Sequence, residues 1–228
     1  MSGLEREALL LSIRVGLVAT LVILPPGVAL GWLLARREFR LRTIVDALLT
    51  LPLVLPPVVT GWILLVLFGT QGVLGAPLAR LGLHVAFTWK AAALASAALA
   101  FPLLVRTVQV AIASVDARLE EAARTLGASP LRVFWTVTLP LASRGVIAGA
   151  VLAFARSIGE FGATISFAGN VPGQTRTLPL AIWSELQVPG AEMAAARLVA
   201  LSVALAVVAL VAAEVIRRRG ELLNGSAR

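Results

Sequence analysis

Cysteine and tyrosine are absent from this sequence, lysine occurs once, at Lys90, and histidine once, at His84. Without cysteine there is no disulfide framework and no thiol to act as metal ligand or nucleophile. The lone His84 falls in a loop and reads as a surface residue rather than a ligand, so no metal site is expected. Charge is scarce as well: 14% of residues are Asp, Glu, Lys or Arg, against about 25% in soluble domains. No GxxxxGK[ST] phosphate loop is present, so this chain offers no nucleotide-binding chemistry of that kind. An intramembrane enzyme would have to work with Arg156, Glu160 and His84, which lack a clustered His, Asp or Cys constellation. No catalytic residue and no cofactor are expected.

What the chain has instead is apolar length. Hydrophobic residues make up 59% of it and the mean hydropathy is +0.93, the composition of an integral membrane protein with nothing left over for a separate water-soluble core. One transmembrane domain over residues 1–228 follows. Five segments reach the roughly 20 apolar residues that cross a bilayer: Leu9 to Leu34, Ile44 to Phe68, Thr88 to Ala111, Leu139 to Thr164 and Met193 to Ile216. Runs such as Ala91 to Ala100 do not alternate between polar and apolar residues, which excludes a transmembrane barrel and leaves an all-α helical bundle. Leu178 to Gln187 is too short to span and reads as a surface or re-entrant helix. Met1 to Glu7 carries both charge signs, and the run from Ala8 lacks a small-residue cleavage site, so it reads as a retained span.

The net charge of +8 suits a bilayer rather than a nucleic acid, because the arginines sit at the ends of apolar runs. Arg36, Arg37, Arg40 and Arg42 crowd the first short loop, and Arg217, Arg218 and Arg219 follow the last span. The positive-inside rule places both in the cytoplasm. Five crossings then put the N-terminus outside and the loop bearing Arg118, Arg124 and Arg132 inside. The loops from Gly69 to Phe87 and from Ile165 to Glu192, whose basic residues are principally Arg80 and Arg176, fall outside. Prolines at 25–26, at 52 and 56–57, and at 102 interrupt three spans, each removing a backbone donor that lipid cannot replace. A passive kink accounts for any one of them; three together point to a translocation pathway.

The loop between the third and fourth spans, about 115–135, is built from helix signals. Asp116 caps a helix from Ala117 to Leu126, and Gly127 occupies the position that ends one. Leu119, Ala122, Ala123 and Leu126 recur at i, i+3, i+4 and i+7 and share a narrow, alanine-rich face. Arg118, Glu120, Glu121, Arg124 and Thr125 lie on the other sides, as rim contacts. Ser129 and Pro130 supply a second cap with proline at the first helical position, and Leu139-Pro140 starts the fourth span. A helix resting on the bilayer surface would need a larger apolar face than two leucines; docking of a cytoplasmic partner fits better.

Glu121-Ala122-Ala123, then Gly127, Val137, Leu139 and Pro140 together resemble the signature loop of ABC importer permeases, with Val137 where isoleucine is usual. The resemblance implies a coupling helix inserted into a cleft of a cytoplasmic ATPase, with Leu119, Glu120, Glu121, Ala122, Ala123, Leu126 and Gly127 as the coupling residues. Further segments, Leu51 to Val59, Ala122 to Gly127, Ala153 to Ser166 and Pro172 to Leu178, extend it over nearly the full chain and are similar to the molybdate-transporting branch of that family. What this implies is an inner-membrane homodimer, two ATPase subunits and an extracytoplasmic oxyanion-binding protein. Tungstate, or sulfate and thiosulfate, would be alternative cargoes for the same mechanism, and a non-transporting scaffold that recruits an ATPase is an alternative of another class.

The fourth span mixes small and polar residues: Gly145 and Gly149 in GxxxG spacing, then Arg156, Ser157, Glu160 and Thr164. Ionisable groups in a span usually face protein or water. Arg156 and Glu160 are four apart on one helical face, so they either neutralise each other or Arg156 attracts the anion. Thr60, Ser157, Thr164, Ser166 and Asn170 add hydroxyl or amide donors along a candidate path. Glu185 and Glu192 read as solvated groups.

Overall fold

The computed structural model describes residues 3–225, with side chains for 3–212, 214 and 215. Ser2 lies outside the described residues, as do the side chains of Arg217 to Arg219, on which part of the expected charge asymmetry rests. Helices and loops account for everything described, and among those residues there is no strand.

Helix α1 (Gly3–Arg36) is continuous. At 1.5 Å per residue it is about 50 Å long, more than the ~30 Å hydrocarbon core requires. Beside it lies α5 (Trp89–Ala113), the centre of the bundle, whose Ala91, Ala92, Ala95, Ser96 and Ala100 are buried. Small residues let helices come close where lipid provides no hydrophobic drive to pack them. A Cβ at Gly27 would stand 2.7 Å from Leu104, and one at Gly31 2.7 Å from Val108, so α1 and α5 run side by side in the same direction. After the short helix α6 (Ala117–Thr125), α7 (Pro130–Val133), a π turn (Phe134–Thr138) and α8 (Leu139–Ile158) form one apolar span of 29 residues. Gly149 faces Thr107 and Leu104, and Ser96 donates to the carbonyl of Ser157, so α8 runs against α5.

The second expected span is bent rather than straight. Helices α2 (Arg42–Val54) and α3 (Pro57–Phe68) meet at 112°. Leu55 (ψ 142°) and Pro56 (ψ 133°) are both extended, as residues before proline prefer. The sequence expectation of three interrupted spans therefore needs correcting: α1 stays helical through Pro25-Pro26 and α5 through Pro102. Since a Pro-Pro step survives within α1, local sterics alone do not break the chain at 56–57. The bend is also a site of close packing: a Cβ on Gly162 would lie 2.8 Å from Pro57. Because α1 and α5 are parallel, the chain between them must return across the bundle, and the bent pair makes that return. With the pair counted once, five segments among the described residues are long and apolar enough to cross a membrane.

The fourth span is also shifted. It starts at Pro130 rather than Leu139 and ends at Ile158 rather than Thr164. Pro140 sits inside it, where an α-helix would need a bond from residue 140 to Thr136. The chain widens instead, and Leu139 N–H reaches Phe134 O in the π turn, a common answer to a defect in the ladder. Beyond Gly159 the short helices α9 (Gly162–Phe167) and α10 (Leu178–Leu186) precede α11 (Glu192–Gly225). Helix α10 packs Leu178 and Ala181 against Ala8 and Leu198, and Leu178 N–H donates to Ser12 Oγ at 2.7 Å. It thus ties the first and last spans together at the end where Arg197 meets Glu5 at 3.0 Å.

Candidate functional site

At the opposite end of the bundle, α6 is held by its caps. Asp116 Oδ1 accepts the Arg118 N–H at 2.9 Å. Gly127 has φ +86°, and its N–H reaches Arg124 O at 2.9 Å while Ala128 N–H reaches Ala123 O at 3.1 Å. That pair of bonds is the Schellman ending, which calls for glycine in the left-handed region. A Cβ at Gly127 would meet nothing within 4 Å, so the constraint there is conformational and not steric. Ser129 Oγ accepts the Arg132 N–H and Pro130 begins α7, so the turn between the two helices is defined from both sides.

Leu119 is 50% and Leu126 89% exposed, and Glu121 and Ala122 are exposed beside them while Ala123 is half-buried. Glu120 is the exception. Read from sequence as a rim contact, it is 3% exposed and turned into the bundle, which corrects that expectation. Its carboxylate pairs with Arg36 at 2.9 Å and Arg124 at 3.3 Å and accepts the Thr138 hydroxyl at 2.8 Å. Arg36 also donates to Val115 O at 2.9 Å. One buried carboxylate thereby fastens α6 to the end of α1 and to the π turn at the root of the fourth span. The Glu120-Arg124 spacing is visible in sequence as an i, i+4 pair; Arg36, 84 residues away, and Thr138 are not.

Among the intramembrane candidates, Arg156 and Glu160 lie 2.9 Å apart. Glu160 sits in the break after α8, and its other oxygen accepts the Ala163 N–H at 2.9 Å, serving the first turn of α9. Helices α3 and α9 touch backbone to backbone: a Cβ at Gly61 would stand 2.8 Å from Ala163 Cα and 2.9 Å from Ser166 Cβ. Thr60 and Thr164 flank that contact in sequence. The hydroxyls of Thr60, Ser157 and Thr164 are buried and make no hydrogen bond among the described residues, so they keep donors to offer. Ser166 is engaged, donating to Gly162 O at 3.0 Å, while Asn170 donates one amide N–H to Ser184 and accepts from Arg176, each at 2.8 Å, in the loop leading to α10.

A second intramembrane pair went unread in the sequence. Arg106 of α5 meets Asp46 of α2 at 2.7 Å and donates to Gln109 at 3.0 Å and Thr50 at 3.4 Å. Both charges lie inside expected spans, which is itself the signal for a functional or paired group. Nothing local connects residues 60 apart.

Residues 27–220 match the family described as binding-protein-dependent transport system inner membrane component. The molybdenum transport system permease protein ModB of Escherichia coli K12 is 51% identical over 215 residues, 94% of each chain. The sulfate transport system permease protein CysT of Salmonella typhimurium is 44% identical over 161 residues, 71% of this chain and 58% of that protein. In fold, the chain resembles the inward-facing MetNI methionine ABC transporter, with a TM-score of 0.73, 19% identity, and 96% and 99% of the two chains covered. It likewise resembles a bacterial alginate ABC transporter in complex with an alginate pentasaccharide-bound periplasmic protein, with a TM-score of 0.73, 19% identity, and 96% and 80% covered.

Proposed function

The chain belongs to the family of binding-protein-dependent transport system inner membrane components, and from that premise we propose that it moves molybdate inward as the permease subunit of an ABC importer. Identity of 51% across 94% of both chains to a molybdenum permease carries the cargo assignment. Transport is by alternating access, with the exposed face of α6 docking on a separate ATPase. The chain itself supplies no nucleotide chemistry. It works as a multi-pass inner-membrane homodimer with two ATPase subunits and an extracytoplasmic binding protein that delivers the oxyanion. Selectivity resides chiefly in that binding protein, since a membrane path that held its ion tightly would trap it.

The path supports this reading by what it avoids. Arg156, beside the candidate donor Ser157, is neutralised by a carboxylate, so a dianion there meets hydroxyls and paired charge rather than a bare cation. In proteoliposomes containing the assembled complex and binding protein, ATP-dependent uptake of labelled molybdate should survive a large excess of sulfate and yield to tungstate. Equal competition by sulfate would reassign the chain toward the sulfate permease it also resembles, and ATP hydrolysis without any flux would make it a scaffold.

Orientation follows the same reading: Arg36, α6 and the C-terminal end of α11 face the cytoplasm, with α4 (Gly75–Arg80) and α10 outside. Since the chain has no cysteine, Glu38→Cys and Gln174→Cys are clean probes at exposed positions. In cells with a permeabilised outer membrane, a membrane-impermeant thiol reagent should label position 174 and spare position 38. The reverse pattern would invert the topology.

A further inference from the structure

Helix α1 carries one arginine within its apolar run, Arg14, about 8 Å along the axis from Leu9. A charge inside a span ordinarily finds a partner, and Arg106, Arg156 and Arg197 each meet a carboxylate. Arg14 does something else. It is exposed, and its guanidinium lies over the Trp89 ring, 3.9 Å from the centroid. Stacking of this kind occupies the face of the guanidinium and leaves its in-plane N–H fork available to an oxyanion. Lys90, the only lysine of the chain, is the next residue along and is also exposed. On α1 the nearest acids toward the N-terminus are Glu7, two turns away, and Glu5, which is engaged with Arg197.

Directly inward from this basic end runs a groove of about 190 Å³, bounded by Val18, Ala19 and Val22 of α1 and by Ala93, Leu94 and Ala97 of α5, with Trp89 and Lys90 at its mouth. Residues 14, 18 and 22 form one i, i+4 row, and 89–90, 93–94 and 97 form the matching row on α5. Because the two helices are parallel, the groove follows the membrane normal, charged at the end away from α6 and apolar within.

We propose that α1 and α5 bind an anionic phospholipid here, its phosphate held by Arg14 and Lys90 and an acyl chain lying in the groove. The amphipathic order of the site, two cations at the headgroup level above an apolar trough, matches a lipid and does not match a small oxyanion, which has no use for the trough. A second protein copy pressed onto the same face would bury two cations without a counter-charge, which is costly. Anionic headgroups attract basic side chains at the membrane surface, and Trp89 suits the interfacial level at which this mouth opens.

The test does not depend on the cargo. The full-length permease, with the subunits that copurify, is embedded in nanodiscs containing equal amounts of phosphatidylglycerol and phosphatidylcholine, and the lipids it keeps after release are counted by native mass spectrometry. Wild type should retain phosphatidylglycerol preferentially, and Arg14→Gln with Lys90→Gln should reduce that preference about tenfold. Val22→Trp, which leaves both cations and fills the trough, should reduce lipid retention whichever headgroup is offered. Equal retention of the two lipids by wild type, or an unchanged preference in the charge variant, would overturn the proposal. Loss of molybdate uptake by the charge variant with its lipid preference intact would also overturn it, by assigning the cations to the cargo.

Discussion

Glu120→Ala should destabilise the protein by about 3 kcal/mol, at the lower end of the cost of breaking a buried ion pair because Arg36 and Arg124 retain some solvent, and it should uncouple ATP hydrolysis from uptake. The substitution strands Arg36, whose side chain is 17% exposed, and removes the acceptor of the Thr138 hydroxyl. With it goes the joint between α6, α1 and the π turn. Glu120→Gln keeps the shape and an acceptor for Thr138 but loses the charge, so it should fall between the two. Glu121→Ala supplies the contrast: its side chain is exposed, so stability should change by no more than about 0.5 kcal/mol while association with the ATPase weakens. The measurements are thermal unfolding in detergent and the ratio of ATP hydrolysed to molybdate imported. Wild-type coupling in folded Glu120→Ala would show that the joint is not part of the transmission.

In the fourth span, Arg156→Ala leaves the Glu160 carboxylate, 2% exposed in its side chain, without its cation, and should cost about 3–5 kcal/mol. The structure determines which second change is informative. Glu160→Ala would also remove the acceptor for the Ala163 N–H, confounding charge with capping. Glu160→Gln retains that acceptor, so the double variant Arg156→Ala, Glu160→Gln should regain most of the lost stability through a coupling term of the size expected for contacting residues. Yield of monodisperse protein and melting temperature report folding; uptake by proteoliposomes reports transport. Additive losses would dissolve the pair as an energetic unit. Recovery of folding without recovery of uptake would assign Arg156 a part in moving the anion.

Much of the α6 loop was legible in the sequence because its signals act over a few residues. Asp116, Gly127 and Ser129-Pro130 impose caps and a left-handed turn by local geometry, and they do so in the structure. The same local rules misplace Glu120. On a nine-residue helix with a weak apolar face, periodicity says which residues share a side and leaves open which side turns inward. That choice was made by Arg36 and Thr138, brought to α6 by the packing of α1 and the fourth span.

The spans show the same division more sharply. Length and hydropathy were enough to find five apolar segments, since any stretch of some 20 apolar residues satisfies the bilayer. They could not say which faces are buried, because lipid is as apolar as a protein core and no polar face marks the outside. Thus α5 is mostly buried while residues 192–212 of α11, a more apolar stretch, stand largely exposed. Proline chemistry predicted breaks, yet Pro25-Pro26 lies within a continuous α1 and Leu55-Pro56 marks a bend of 112°, beside which Gly162 packs against Pro57. The pairing of Asp46 with Arg106 likewise depends on the return of α2 against α5. Caps, turns and span lengths are properties of neighbouring residues, so the chain carries them in its order. Partners for buried charge are chosen by which helices meet, and only the folded bundle decides that.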